Sequence, residues 1–264
     1  MTAAIRRHAL TVYALLAFTY LLLPIAVVIA FSFNDPLGRF NYTWEGFTLR
    51  HWQDPFGPPG LRDAIIASLQ IAALASIVAT ILGTLVALAL VRYGFRGRGL
   101  TNLLIFMPMT TPEIVMGASL LALFLNLGVA TGFWTIFIAH VMFCISFVVV
   151  TVKARLAGFD RHLEEAAMDL GANPFSTFGR VTLPLIAPGI AAGALLAFAL
   201  SVDDFVITLF NAGPTITFPL YVWGAARVGV PPQVNVIGTL IFLAAAGLMV
   251  VNVLSQITRS KGAT

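Results

Sequence analysis

The chain has 264 residues, 59% of them hydrophobic and only 10% charged, with a net charge of +4 and a mean hydropathy of +0.95. Soluble proteins carry about a quarter charged residues, and a domain of this length has too little interior to hide so much apolar surface. A soluble globule, a disordered chain and a coiled coil are therefore excluded, and lipid must be the solvent. The single cysteine, Cys144, excludes an internal disulfide and sits in an apolar run, as a buried inert thiol does.

Leu10 to Phe33 is a charge-free run of 24 residues, about 36 Å as a helix and long enough to span with tilt. Ala64 to Val91 is the second run. From Leu100 to Val152 the one charged residue is Glu113, and the stretch is too long for one helix. Asn126-Leu127-Gly128 and Gly132 divide it into spans near 103–126 and 131–152. Pro108 and Pro112 are expected to kink the first of these and open carbonyls to a cavity. The fifth span, Pro188 to Phe210, carries Asp203 and Asp204, and the sixth, Val234 to Ile257, is charge-free. Continuous apolar runs exclude a β-barrel. The expectation is an all-α integral membrane protein with six transmembrane helices.

The fifteen basic residues test orientation. With the N-terminus inside, Arg6, Arg7, Arg92, Arg96, Arg98, Lys153, Arg155, Arg161, Arg180, Arg259 and Lys261 lie on the inner side. Arg39, Arg50, Arg62 and Arg227 lie outside. This bias predicts both termini in the cytoplasm. Arg6-Arg7 before an apolar run imitates a signal peptide, but the run exceeds the usual h-region, so an uncleaved anchor is expected. The predicted organisation is residues 1–33 as a cytoplasmic segment and first span, 34–63 as an extracytoplasmic loop, 64–257 as a five-helix core and 258–264 as a cytoplasmic tail.

One inner segment stands out, with a coupling element expected at 160–184. Asp160 can cap a short helix in which Leu163, Ala166, Ala167 and Leu170 share one face. Gly171 is placed to end it in a left-handed conformation. Asn173-Pro174 is a cap with proline at the first helical position, so a second short helix follows. Pro184 and Pro188 are expected to end that helix and start the next span. The polar face carries Glu164, Glu165 and Asp169, which anionic lipid would repel, so a protein partner fits better than a membrane surface.

Here the residues resemble a known family. Glu165-Ala166-Ala167, three residues, Gly171, nine residues and Val181-Thr182-Leu183-Pro184 resemble the EAA signature of binding-protein-dependent ABC importer permeases, with Val181 in place of the usual isoleucine. The stretches GFWTIFIAHVMFCISFVVVTVKARLAGFD, SVDDFVITLFNAGPTITFPL and VGVPPQVNVIGTL are similar to the spermidine/putrescine branch, in particular its second membrane subunit. The resemblance implies a type I (MetI-like) permease fold in a bacterial inner membrane. It implies a separate nucleotide-binding ATPase subunit, a homologous partner permease forming a heterodimer, and an extracytoplasmic solute-binding protein. It assigns the ATPase-coupling role to Glu164, Glu165, Ala166, Ala167, Asp169, Gly171 and Pro184. The implied solute is a polyamine; another small organic solute such as γ-aminobutyrate is the alternative.

The chain lacks an engine of its own. A P-loop needs a lysine in G-x4-G-K-[ST], and neither Lys153 nor Lys261 has that context. No catalytic role is expected, and the ATP and magnesium belong to the partner subunit. The histidines His8, His51, His140 and His162 show no H-x3-H pair, so no metal site is expected. His140, in mid-span, reads as a hydrogen-bonded structural residue.

Carboxylates at membrane depth cost about 2.5–3.5 kcal/mol each on insertion scales. Asp203, Asp204 and Glu113 are thus substrate-path candidates, the adjacent aspartates pointing about 100° apart on a helix. Phe205, Tyr221 and Trp223 could add cation–π contacts for an ammonium substrate. Trp134 reads as an interface-belt residue, and Trp44, Trp52 and the Pro55–Pro59 turn as places to dock a binding protein. Two rival classes remain. An ion-coupled carrier would leave the acidic helix pair without a task and lacks a visible internal repeat. An aspartyl protease needs carboxylates facing each other from two elements, which Asp203 and Asp204 do not supply.

Overall fold

The computed structural model describes residues 2–158, 160 and 162–261, with side chains described for 8–158, 160 and 162–247. Among the described residues the architecture is helical, without strands apart from an isolated antiparallel bridge between Asn34 and Phe47. The chain divides into two compact units, residues 1–62 with 222–264, and residues 63–221.

In the first unit α1 (Thr2–Phe31) packs on α12 (Pro232–Lys261), which also touches the short α2 (Arg50–Gln53). Most of the described side chains of α1 are exposed, Tyr13, Phe18 and Tyr20 among them. That is no penalty where the surroundings are as apolar as leucine. The loop after α1 is tied by polar contacts. Asn34 Nδ2 donates to Asn41 Oδ1 and to the Thr43 carbonyl, both at 2.7 Å, and Asn41 donates to the Phe31 carbonyl at 2.9 Å. Trp52 stacks on Phe33 at 5.1 Å, whereas Trp44 is half exposed. Of the two proposed docking tryptophans, one is therefore packed into the loop.

The second unit contains α3 (Leu61–Arg92), α4 (Arg98–Thr110), α5 (Glu113–Asn126), α6 (Phe133–Ala157), α7 (His162–Asp169), α8 (Pro174–Thr177), α9 (Leu183–Asp203), α10 (Val206–Asn211) and the start of α11 (Phe218–Val228). α6 is its axis. Its buried face, including Ala139, Phe143, Cys144, Val148 and Val152, meets α9, whose Gly189, Gly193 and Ala197 allow close approach. A Cβ at Gly189 would meet the Arg155 side chain at 2.6 Å. Trp134 stays exposed at the start of α6, edge-on to Phe133 and Phe137.

Two expected spans are corrected. The 103–126 span is two helices, α4 and α5, bent by 109°. Pro108 lies inside α4 without ending it. The break comes at Thr111-Pro112, where proline forces its predecessor into an extended conformation. The Thr110 and Thr111 hydroxyls donate back to the Phe106 and Met107 carbonyls in the last turn of α4. The Pro188–Phe210 span begins much earlier and ends sooner. Helical structure runs from Pro174 through a π turn, Phe178–Thr182, into α9 and stops at Asp203. Pro184 and Pro188 neither end nor start a helix. In the π turn Leu183 N–H reaches back five residues to the Phe178 carbonyl, and this wider turn accommodates Pro184, which has no N–H to give.

By length and composition, four helices among the described residues can cross a membrane, or five with the bent pair counted as one. The expected sixth span falls on α12, whose side chains beyond Gly247 lie outside the described set. α12 runs helically to Lys261, through most of the supposed 258–264 tail. Arg161 and residues 262–264 lie outside the described residues, as do the side chains of Arg6, Arg7, Arg259 and Lys261.

Candidate coupling segment and substrate path

The inner segment forms the helix pair that its punctuation predicts. Asp160 Oδ1 accepts from His162 N–H at 3.0 Å, capping α7. Gly171 has φ +89°, and Ala172 N–H closes back on the Ala167 carbonyl at 3.1 Å, a left-handed C-terminal motif. Asn173 Oδ1 accepts from Ser176 N–H at 2.8 Å, with Pro174 at the first position of α8. Glu165, Ala166, Asp169, Gly171 and Pro184 are exposed and Ala167 is half-buried.

The orientation of α7 corrects the expected polar face. Glu164 is buried; the Arg92 guanidinium forks onto both its oxygens and the Thr182 hydroxyl donates to it. The apolar residues turn outward instead, with Leu170 and Phe175 each 90% exposed. Helical geometry puts Glu164 and Glu165 about 100° apart, and the cation at the end of α3 decides which one faces in. The result is an exposed surface of Leu163, Leu170 and Phe175 edged by Glu165 and Asp169.

The second region is the break between α9 and α10. Asp204 is extended, with ψ 120°. Its carboxylate caps α10, accepting from Thr208 N–H and Thr208 Oγ1, each at 2.8 Å. From α6, His140 Nε2 lies 3.1 Å from Asp204 Oδ2 and 2.9 Å from Thr208 Oγ1, and Nδ1 lies 2.6 Å from Ser201 Oγ. All four residues are buried. His140 is a hydrogen-bonded structural histidine, and Asp204 is engaged by intramolecular partners. The two aspartates do part, but because the helix ends between them rather than by a turn of a continuous one. Asp203, at the last turn of α9, is exposed.

Glu113 is the first residue of α5 rather than a mid-helix group, exposed at the positive end of that helix dipole. Phe205 follows Asp204 in the break and is half-buried, while Tyr221 and Trp223 lie on the separate α11. The Arg227 guanidinium stands 4.7 Å over the Trp223 ring, so an internal cation already occupies a face proposed for substrate. Among the described residues no group of three His, Cys, Asp or Glu side chains gathers as a metal would require. Sequence reasoning missed Ser201, Thr208, Arg92 and Thr182. The Asp204–Thr208 spacing of four is the one local signal for the cap.

A chain helical among its described residues, with an exposed short helix pair and two helices broken among apolar spans, has the build of a transport permease. The chain belongs to the binding-protein-dependent transport system inner membrane component family, whose pattern matches residues 79–259. It is 40% identical to the spermidine/putrescine transport system permease protein PotC of Escherichia coli (strain K12) over 248 residues, 94% of this chain and 93% of that one. It is 42% identical to the putrescine transport system permease protein PotI of the same strain over 247 residues, covering 90% and 86%. In fold it is similar to a chain of a bacterial ABC transporter involved in the import of the acidic polysaccharide alginate, with a TM-score of 0.67, 18% identity and 96% of each chain covered. The fold is thus that of an ABC importer permease.

Proposed function

We propose that this chain is one permease subunit of an ATP-driven importer that receives a polyamine from an extracytoplasmic binding protein and passes it across the inner membrane. Six helices cross the bilayer, with both termini in the cytoplasm. A homologous permease completes the pore. Separate ATPase subunits, using ATP and magnesium, dock on the face formed by Glu165, Ala166, Leu170 and Phe175. The observation that carries the reading is Asp203, an exposed carboxylate where a membrane helix ends, in a chain 40% and 42% identical to permeases named for spermidine and putrescine. Bringing ammonium groups through a low-dielectric core requires compensating charge. Asp203 supplies it, and the exposed Glu113 at the second helix break is a further carboxylate for the path.

The test is uptake by the complete transporter in proteoliposomes, with spermidine, putrescine and γ-aminobutyrate measured side by side. ATP-dependent uptake of the polyamines is expected, and Asp203→Asn should lower it about fivefold, as roughly 1 kcal/mol of lost attraction implies. Uptake of γ-aminobutyrate alone would refute the polyamine assignment.

A further inference from the structure

Arg92 is the last residue of α3, and its charge fits the inner-side bias. Its contacts say more. Both terminal nitrogens of the guanidinium meet the Glu164 carboxylate, and the Thr182 hydroxyl meets the same group. The Arg92 side chain is 23% exposed and that of Glu164 6%. A forked pair of this kind fixes orientation as well as distance. α7 otherwise packs on near neighbours in the chain, α8 and the π turn. The Arg92 pair is a long-range tie, joining the helix pair to a residue 72 positions away.

α3 is suited to carry what happens at that tie. It has 32 residues and no internal proline, and is about 48 Å long. Near its other end Ser68 Oγ accepts from Phe218 N–H at 2.8 Å, the first residue of α11. Between the ends it is held against α6, where a Cβ at Gly83 would meet the Val148 side chain at 2.7 Å. α3 is therefore a continuous rod with a polar contact near each end, one to the inner helix pair and one to the helix bearing Tyr221.

We infer that the Arg92–Glu164 pair is the link that transmits movement of α7 into α3, and through α3 toward the outer end of the path. The inference rests on the docking of the ATPase at α7 and α8. Arg92 touches neither nucleotide nor solute, so it is a positioning residue. A forked ion pair serves because it resists sliding as well as separation, whereas an apolar contact would let α7 move without α3.

The experiment uses the complete transporter in proteoliposomes with its receptor. In Arg92→Gln the ATPase subunit should remain bound and basal ATP hydrolysis unchanged, while receptor-stimulated hydrolysis and uptake fall about fivefold or more. Arg92→Lys keeps the charge without the fork and should give intermediate stimulation. Exchanging the charges, Arg92→Glu with Glu164→Arg, should recover most of it. Native stimulation in Arg92→Gln would overturn the proposal. So would loss of the ATPase subunit from that variant, which would make the pair a folding contact. The docking reading fails separately, if Leu170→Ala with Phe175→Ala leaves ATPase binding at its native strength.

Discussion

The inner helix pair and the α9–α10 break each contain two adjacent acids, and each pair divides in the same way. In the helix pair Glu164 turns in and is bound while Glu165 stays exposed; at the break Asp204 is bound while Asp203 stays exposed. The partners differ. Glu164 meets a guanidinium and a hydroxyl, whereas Asp204 meets an imidazole, a hydroxyl and backbone N–H groups. In both regions the bound acid ties two elements together and its neighbour is exposed.

The most severe way to break this comparison is to remove the bound acid in the membrane. Asp204→Ala removes the acceptor of the buried Thr208 N–H and hydroxyl and one partner of His140, so thermal unfolding in detergent should show a loss of about 3 kcal/mol. Asp203→Ala should leave the same transition within about 0.5 kcal/mol of native. Equal losses would show that the two aspartates do not divide as described.

A smaller effect is expected at the turn that orients the inner pair. A Cβ at Gly171 would meet nothing within 4 Å, so the cost of adding one is conformational, at φ +89°. Gly171→Val should cost about 2 kcal/mol locally and abolish receptor-stimulated ATP hydrolysis, whereas Gly171→Asn, which tolerates the left-handed region, should retain it. Matching losses in both variants would put the cause in side-chain size instead.

The smallest effect concerns a buried histidine whose nearby acid does not outweigh its burial. Burial, reinforced by Arg50, holds His51 below its ordinary value of 6.5, against the weaker opposing pull of Asp35. Its Nε2 lies 3.9 Å from Asp35, beyond a hydrogen bond. As pH falls through 6.5 the unfolded chain takes up a proton that the folded loop resists, so the stability of the loop declines toward acid. Fluorescence of Trp52, monitored during thermal unfolding at about pH 7.5 and about pH 5.5, should show the earlier transition at acid pH. His51→Phe should remove the difference.

Much of the molecule was legible from local chemistry. Asp160, Gly171 and Asn173-Pro174 mark the boundaries of α7 and α8 because caps and left-handed turns are short-range events. The length of the charge-poor runs located α1, α3 and α6 because a bilayer has a fixed thickness. The breaks were less legible. Pro112 splits α4 from α5, whereas Pro108 and Pro188 lie inside helices and Pro184 follows the π turn that accommodates it. The end of α9 at Asp203 has no proline at all; it depends on Asp204 finding His140 from a helix 64 residues earlier in the chain.

By itself the amino-acid order determined that this chain lives in lipid, that it is helical, and that an EAA-like helix pair interrupts its apolar runs. Composition, run length and turn chemistry act over a few residues, and no long-range contact is needed to read them. Only the tertiary structure decided which acid of each adjacent pair is held and which is offered. That choice depends on where Arg92 and His140 arrive in space, and a helix 72 or 64 residues away leaves no local trace in the sequence.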